Sequence, residues 1–109
     1  MSDRENRAEA GEALARIRAR IDAIDEHIQA LIDERARIAR EVGASKESTG
    51  ALDYFRPERE AQVLRNVLAR NRGPLRDDEV LRLFREIMSA CLAQQAPLKV
   101  AFLLSLIHI

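Results

Sequence analysis

The chain has 109 residues, enough for one domain with a hydrophobic core, and 47% of them are apolar. Its 18 Lys and Arg residues balance 18 Asp and Glu; a formal net charge of zero excludes a general nucleic-acid binder, which needs a basic excess, but leaves room for a local basic pocket. The single cysteine, Cys91, excludes an internal disulfide and fits a reducing compartment.

The opening "MSDRENRAEAGEA" is charged and carries acids, unlike a secretory signal or an organellar presequence. Residues 1–11 have no apolar periodicity and are expected to be disordered. A first helix is expected from Glu12 to Glu47. Along it Leu14, Ile17, Ile21, Ile24, Ile28, Leu31, Ile38 and Val42 follow steps of three and four, which draws one apolar stripe. About 34 helical residues would span roughly 50 Å at 1.5 Å per residue. A globule of this chain length has a radius of gyration near 13 Å, by a general scaling that makes such a helix overhang it. An apolar stripe on an overhang needs another chain, so the expected architecture is all-α: three helices per chain in an intertwined homodimer.

"ESTGALDYF", residues 47–55, reads as a loop. A second helix opens at Pro57, which suits a first helical position, with Glu58 and Glu60 at the positive end of its dipole. It stops near "NRGP", residues 71–74. A third helix is expected to open with Asp77 or Asp78 as its cap. Its apolar face holds Val80, Leu83, Phe84, Ile87, Met88, Cys91 and Leu92, and Pro97 is expected to end it. The tail "VAFLLSLIHI" has ten residues, too few to cross a bilayer. The chain is therefore expected to be soluble and cytoplasmic, with neither membrane nor nucleic acid as partner.

One residue breaks the stripe. The step after Leu31 lands on Arg35, within about 20° of Ile17, Ile24, Ile28 and Val42 around the helix. A guanidinium there must be paired or hydrated, because it cannot lose its proton cheaply. Lys46 lies eleven residues on, about 20° away on the same face, whereas Arg18 lies about 100° from Arg35. If Arg35 and Lys46 look into one cavity, Arg18 points elsewhere, into a partner's cavity. Arg59 and Glu60 share the inward side of the second helix with Val63, Leu64, Val67 and Leu68. Phe84, Met88, Cys91 and Gln95 form one stripe of the third helix. That inventory of three or four cations, one carboxylate and one amide suits a small polyanion. The same positions would also serve a plain bundle, with Asp33, Glu34 or Glu41 pairing Arg35. His27 and His108 have no ligand-like neighbours. No metal-binding spacing, glycine-rich phosphate loop or nucleophile triad is present in the sequence.

The stretches "RIRARIDAIDEHIQALIDERARIAREVGASK", "YFRPEREAQVL" and "RLFREIMSACLAQQ" resemble, in that order, the all-helical chorismate mutases. They are most similar to the mutase domain that opens the bifunctional chorismate mutase/prephenate dehydratases. The resemblance covers about residues 12–99, and the Arg-Pro-Glu-Arg-Glu run is its most specific part. It implies an intertwined helical dimer that converts chorismate to prephenate by a unimolecular [3,3] rearrangement, on the branch to phenylalanine and tyrosine, without cofactor or metal.

By the same resemblance, Arg18 of the partner chain holds a substrate carboxylate and Arg35 grips one from its own chain. Lys46 reaches the ether oxygen and a nearby carboxylate, and Gln95 donates a second hydrogen bond to that oxygen. Glu60 accepts from the ring hydroxyl, Arg59 supports the carboxylates, and Cys91 stands where many relatives place a serine near the ring carboxylate.

There are departures. Relatives often carry an aspartate where this chain has Arg56, and Cys91 is a poorer donor than serine. "PLKVAF" resembles the entry strand of a dehydratase domain, but "LLSLIHI" follows. Residues 12–96 are thus read as the mutase domain, and 97–109 as a truncated dehydratase start or an aberrant tail without dehydratase activity. The competing class is a non-catalytic helical dimerisation module whose inward charges specify register.

Overall fold

The computed structural model describes residues 2–44 and 56–107. Among them it is all-helical: α1 runs Asp3–Ala44, α2 Pro57–Arg70 and α3 Asp77–Ile107. By its internal contacts the chain divides into two units, residues 1–33 and 34–109, with α1 contributing to both.

Residues 3–11, expected to be disordered, are the first turns of α1. The reason is local. Ser2 Oγ accepts from the Glu5 backbone N–H at 3.2 Å, and the Ser2 carbonyl accepts from Asn6 N–H at 3.1 Å, so orphan donors of the first turn are satisfied. Asp3 and Glu5 lie at the positive end of the dipole. The Ala, Arg and Glu that follow are strong helix formers. Within residues 1–33 the apolar stripe is exposed: Leu14 45%, Ile17 49%, Ile21 52%, Ile24 58%, Ile28 47% and Leu31 51%.

Within residues 34–109, α2 and α3 pack together through a short connection. Pro57 occupies the first turn of α2 as expected, and the Arg56 carbonyl accepts from Glu60 N–H at 3.1 Å. The turn is held by Asn71, whose amide donates to Leu75 O at 3.0 Å and to Asp77 Oδ1 at 2.8 Å. Its side-chain oxygen accepts from Gly73 N–H at 3.2 Å, and Gly73 takes φ +76°, a conformation that favours glycine. Asp77, expected as a possible cap, is instead the first residue of α3. The Arg76 carbonyl opens that helix by accepting from Val80 N–H at 3.1 Å.

Pro97 does not end α3, which continues to Ile107, and "PLKVAF" is helical here rather than extended. Proline's fixed φ fits a helix; its cost is the lost N–H bond and local crowding. Ala101, Leu103 and Leu104 beyond it are good helix formers.

The core of this unit is small: Ala39, Val67 and Cys91 are buried, with Val63, Leu64, Val80, Phe84, Ile87, Met88 and Leu92 half-buried around them. Leu68 and Leu83, expected on the inward faces, are exposed. Each stands about 100° around its helix from the residue at the centre of the buried face, Val67 and Phe84 respectively.

α1 meets α3 at a glycine. A Cβ built on Gly43 would come within 3.1 Å of Gln95 Cα and 3.2 Å of its carbonyl oxygen. One turn earlier, Arg40 Nε donates to Gln94 Oε1 at 3.2 Å. Gly43 is thus required by a close approach of backbones, whereas Gly11 has nothing within 4 Å of its added Cβ. Gly43→Val is expected to lower stability in urea unfolding by about 1–3 kcal/mol through overpacking. Gly11→Ala is expected to raise it by about 0.5–1 kcal/mol through helix propensity.

Candidate active site

Within residues 34–109, the C-terminal part of α1, the start of α2 and the middle of α3 enclose a cavity of about 490 Å³. Its volume lies in the range of small-molecule sites. α1 supplies Arg35, Ile38, Ala39 and Val42, which share one helical face by spacing of three, four and seven. Arg56, Arg59, Glu60 and Val63 repeat that spacing at the opening of α2. α3 supplies Arg85, Met88, Ser89, Cys91, Leu92 and Gln95.

Five of the residues singled out in the sequence meet here: Arg35, Arg59, Glu60, Cys91 and Gln95. Lys46 lies outside the described residues. Arg18 is an exposed residue of α1 within residues 1–33 and is not part of this lining.

Arg35 is half-buried. Asp33, Glu34 and Glu41, the neighbours able to neutralise it in a plain bundle, do not pair with it. The salt bridges among the described residues both belong to Arg76, with Asp78 at 3.1 Å and Glu79 at 3.2 Å. The stripe to which Arg35 belongs is also more open than its periodicity suggests, since Ile38 and Val42 are each 51% exposed. Glu60 and Gln95 are half-buried, Arg59 is exposed, and Cys91 is 3% exposed with its thiol free. The backbone contact with Gly43 fixes where α3 presents Gln95, and α1 therefore sets the reach of that amide.

Among the described residues, four guanidinium groups and one carboxylate thus line one partly apolar hollow. Such a lining can neutralise and orient an anion with two acidic groups, while the Gln95 amide can donate to a neutral or partly charged oxygen. Among the described residues no group of three or more His, Cys, Asp or Glu is arranged to hold a metal ion.

A family model described as chorismate mutase type II matches residues 17–96. The chain belongs to the chorismate mutase type II family. All three helices contribute to the matched region. Curated relatives carry the name bifunctional chorismate mutase/prephenate dehydratase. The Pseudomonas aeruginosa protein is 52% identical over 94 residues, covering 83% of this chain and 26% of its own length. The Neisseria gonorrhoeae protein is 52% identical over 83 residues, covering 76% and 22%. The Aquifex aeolicus protein is 38% identical over 96 residues, covering 84% and 26%. The chain therefore spans about a quarter of the length of these relatives.

Two lining cations of this type II mutase domain were not assigned from sequence. Arg56 registered only as a departure from the family aspartate, and Arg85 did not register. The signal was available: Arg56 stands three and four residues before Arg59 and Glu60, and Arg85 stands two turns before Leu92, within about 20° of it around the helix. Ser89, one turn after Arg85, also lines the cavity. No helix among the described residues is long and apolar enough to cross a membrane.

Proposed function

We propose that this chain is a chorismate mutase, rearranging chorismate to prephenate in phenylalanine and tyrosine biosynthesis. The observation that carries the proposal is the cavity in which Arg35, Arg59, Glu60 and Gln95 converge without an acid to neutralise Arg35 among the described residues. Chorismate is a dianion with a ring hydroxyl and an ether oxygen, and the lining offers a group to each.

The reaction moves six electrons within one molecule: the ether carbon–oxygen bond breaks as a carbon–carbon bond forms. It therefore needs neither a nucleophile nor a proton acceptor. What it needs is the side chain folded over the ring. Arg35 grips a carboxylate in that folded geometry, with Arg59 supporting the local charge, so much of the ordering is done on binding. Glu60 accepts from the ring hydroxyl and fixes the ring. As the bond breaks, negative charge grows on the ether oxygen, where Gln95 donates a hydrogen bond and Lys46 adds a charged one. Cys91 takes the place near the ring carboxylate that a serine holds in many relatives; its thiol is a weak donor, so this contact contributes little.

The active form is a cytoplasmic homodimer. The exposed stripe from Leu14 to Leu31 supports this, because a second copy laid along it would remove six large apolar side chains from water. Covering the exposed half of each contributes about 1 kcal/mol per residue toward association, set against the entropy that association costs. Arg18 sits on the same helix, and the partner's copy of that residue completes the site by holding the second carboxylate. A dimer that folds but turns nothing over would instead favour the dimerisation-module reading, which the same stripe also suits.

Purified protein mixed with chorismate should consume its diene absorbance and release prephenate. Arg35→Ala should lower kcat/KM by at least about 100-fold, the scale of losing one charged transition-state contact, while the thermal unfolding midpoint changes little. A collapse of stability with full activity per folded dimer would make the charge structural.

Mixed dimers of Arg18→Ala and Arg35→Ala chains should recover activity relative to either parent, because one of the two sites then holds both arginines. With mixing verified by mass, an absence of recovery contradicts a shared site.

Gln95→Glu should shift activity toward acid, since only the protonated carboxyl donates to the ether oxygen. Its rate should climb as pH falls toward the ordinary carboxyl range near 4.3, and an unshifted pH–rate profile removes Gln95 from the mechanism.

A further inference from the structure

The cavity has two tiers. Arg35, Glu60 and Gln95 are half-buried and Cys91 is buried, whereas Arg56, Arg59 and Arg85 are exposed side chains on the same lining; Arg59 already has a part in the proposed mechanism, which leaves Arg56 and Arg85. These two stand on different walls, Arg56 at the residue preceding α2 and Arg85 on α3. Neither forms a salt bridge among the described residues. Among the described residues the lining's one carboxylate, Glu60, lies in the inner tier. The mechanism above uses neither arginine, yet together they supply half of the guanidinium groups in the lining among the described residues.

We propose that Arg56 and Arg85 form a cationic rim that draws a small organic dianion into the cavity, setting capture rather than the chemical step. The identity of that dianion as chorismate rests on the reading under Proposed function. The rim acts from a solvated position. An exposed guanidinium beside water gains little from any one fixed contact, but its field extends over roughly a Debye length, about 10 Å at 0.1 M salt. Two such charges flanking a partly apolar hollow raise the local concentration of an anion and speed its entry. Rim charges change association and its salt dependence, whereas buried pairs change dissociation.

This also accounts for Arg56 at the position of the family aspartate. A carboxylate there would oppose Arg85 on the incoming anion, whereas an arginine adds to it.

The test is the double variant Arg56→Gln/Arg85→Gln, with Arg82→Gln, the loss of one exposed α3 charge outside the lining, as the control for position. At about 10 mM salt, where the Debye length is near 30 Å, KM for chorismate should rise about three- to tenfold in the double variant with kcat within about twofold. At about 1 M salt, where it is near 3 Å, wild type and variant should converge. Arg56→Lys/Arg85→Lys should restore KM, because charge and not fork geometry is what acts, and Arg82→Gln should match wild type. An unchanged KM at low salt, a loss that persists at 1 M salt, a fall in kcat alone, or failure of the lysine pair to restore KM would each overturn the rim. Equilibrium dialysis with isophthalate, a plain aromatic dianion, gives the same comparison without catalysis: weaker binding by the glutamine pair at low salt and convergence at high salt support it, and equal binding at low salt overturns it. Failure of wild type to convert chorismate would strike the proposed activity, while the dialysis would still decide the rim.

Discussion

A guanidinium that is half-buried and, among the described residues, unmatched by an acid is the constraint on which the rest of this structure turns. Arg35 occupies a place in the α1 stripe where spacing calls for an apolar side chain, and the nearby acids leave it alone. Arginine cannot escape by releasing its proton. Its charge must be met by water, which an open hollow admits, or by an anionic guest, which the same hollow can hold. The proposed function rests on the second outcome: among the described residues, further arginines on α2 and α3, one carboxylate, and an amide whose position is fixed by the backbone contact at Gly43 stand around it.

The fold serves this arrangement economically. α2 and α3 form a helical pair clasped at Asn71, and the end of α1 closes the hollow against them through Gly43 and Arg40. The buried core is small, with Ala39, Val67 and Cys91 at its centre, and the Leu and Ile side chains of the α1 stripe remain exposed. An exposed stripe of Ile and Leu over several turns is costly in water, which supports the proposed homodimer. Assembly and catalysis would then share one helix, with its N-terminal part carrying Arg18 and the apolar stripe, and its C-terminal part carrying Arg35.

The helices were legible because their apolar residues recur at helical spacing, and the meeting of Arg35, Arg59, Glu60, Cys91 and Gln95 in one cavity follows from the same periodicity together with the family resemblance. What escaped did so for identifiable reasons. Residues 3–11 are polar all round, so hydrophobic periodicity is silent there, although the Ser2-x-x-Glu5 cap and the run of Ala, Arg and Glu speak for a helix. Pro97 looked like a stop because proline forfeits a hydrogen bond, but its φ is compatible with the helix that runs on to Ile107. Leu68 and Leu83 sit at the edge of their helical faces, where composition alone cannot tell inside from outside. Arg85 was hidden by the habit of treating an arginine on an amphipathic helix as solvated. It is solvated, and it lines the cavity as well. Spacing reveals a stripe, but not what covers it.

The central claim is that the cavity's charges are there for a dianion, and calorimetric titration with a rigid bicyclic dicarboxylate shaped like the folded transition state tests it most directly. The account predicts binding at one molecule per cavity, weakened at least about tenfold when either carboxylate is capped as its methyl ester, since each loses a charge-assisted contact. Equal affinity for the diacid and its monoesters would mean that the guanidinium groups do not clasp the guest, and the account would fall.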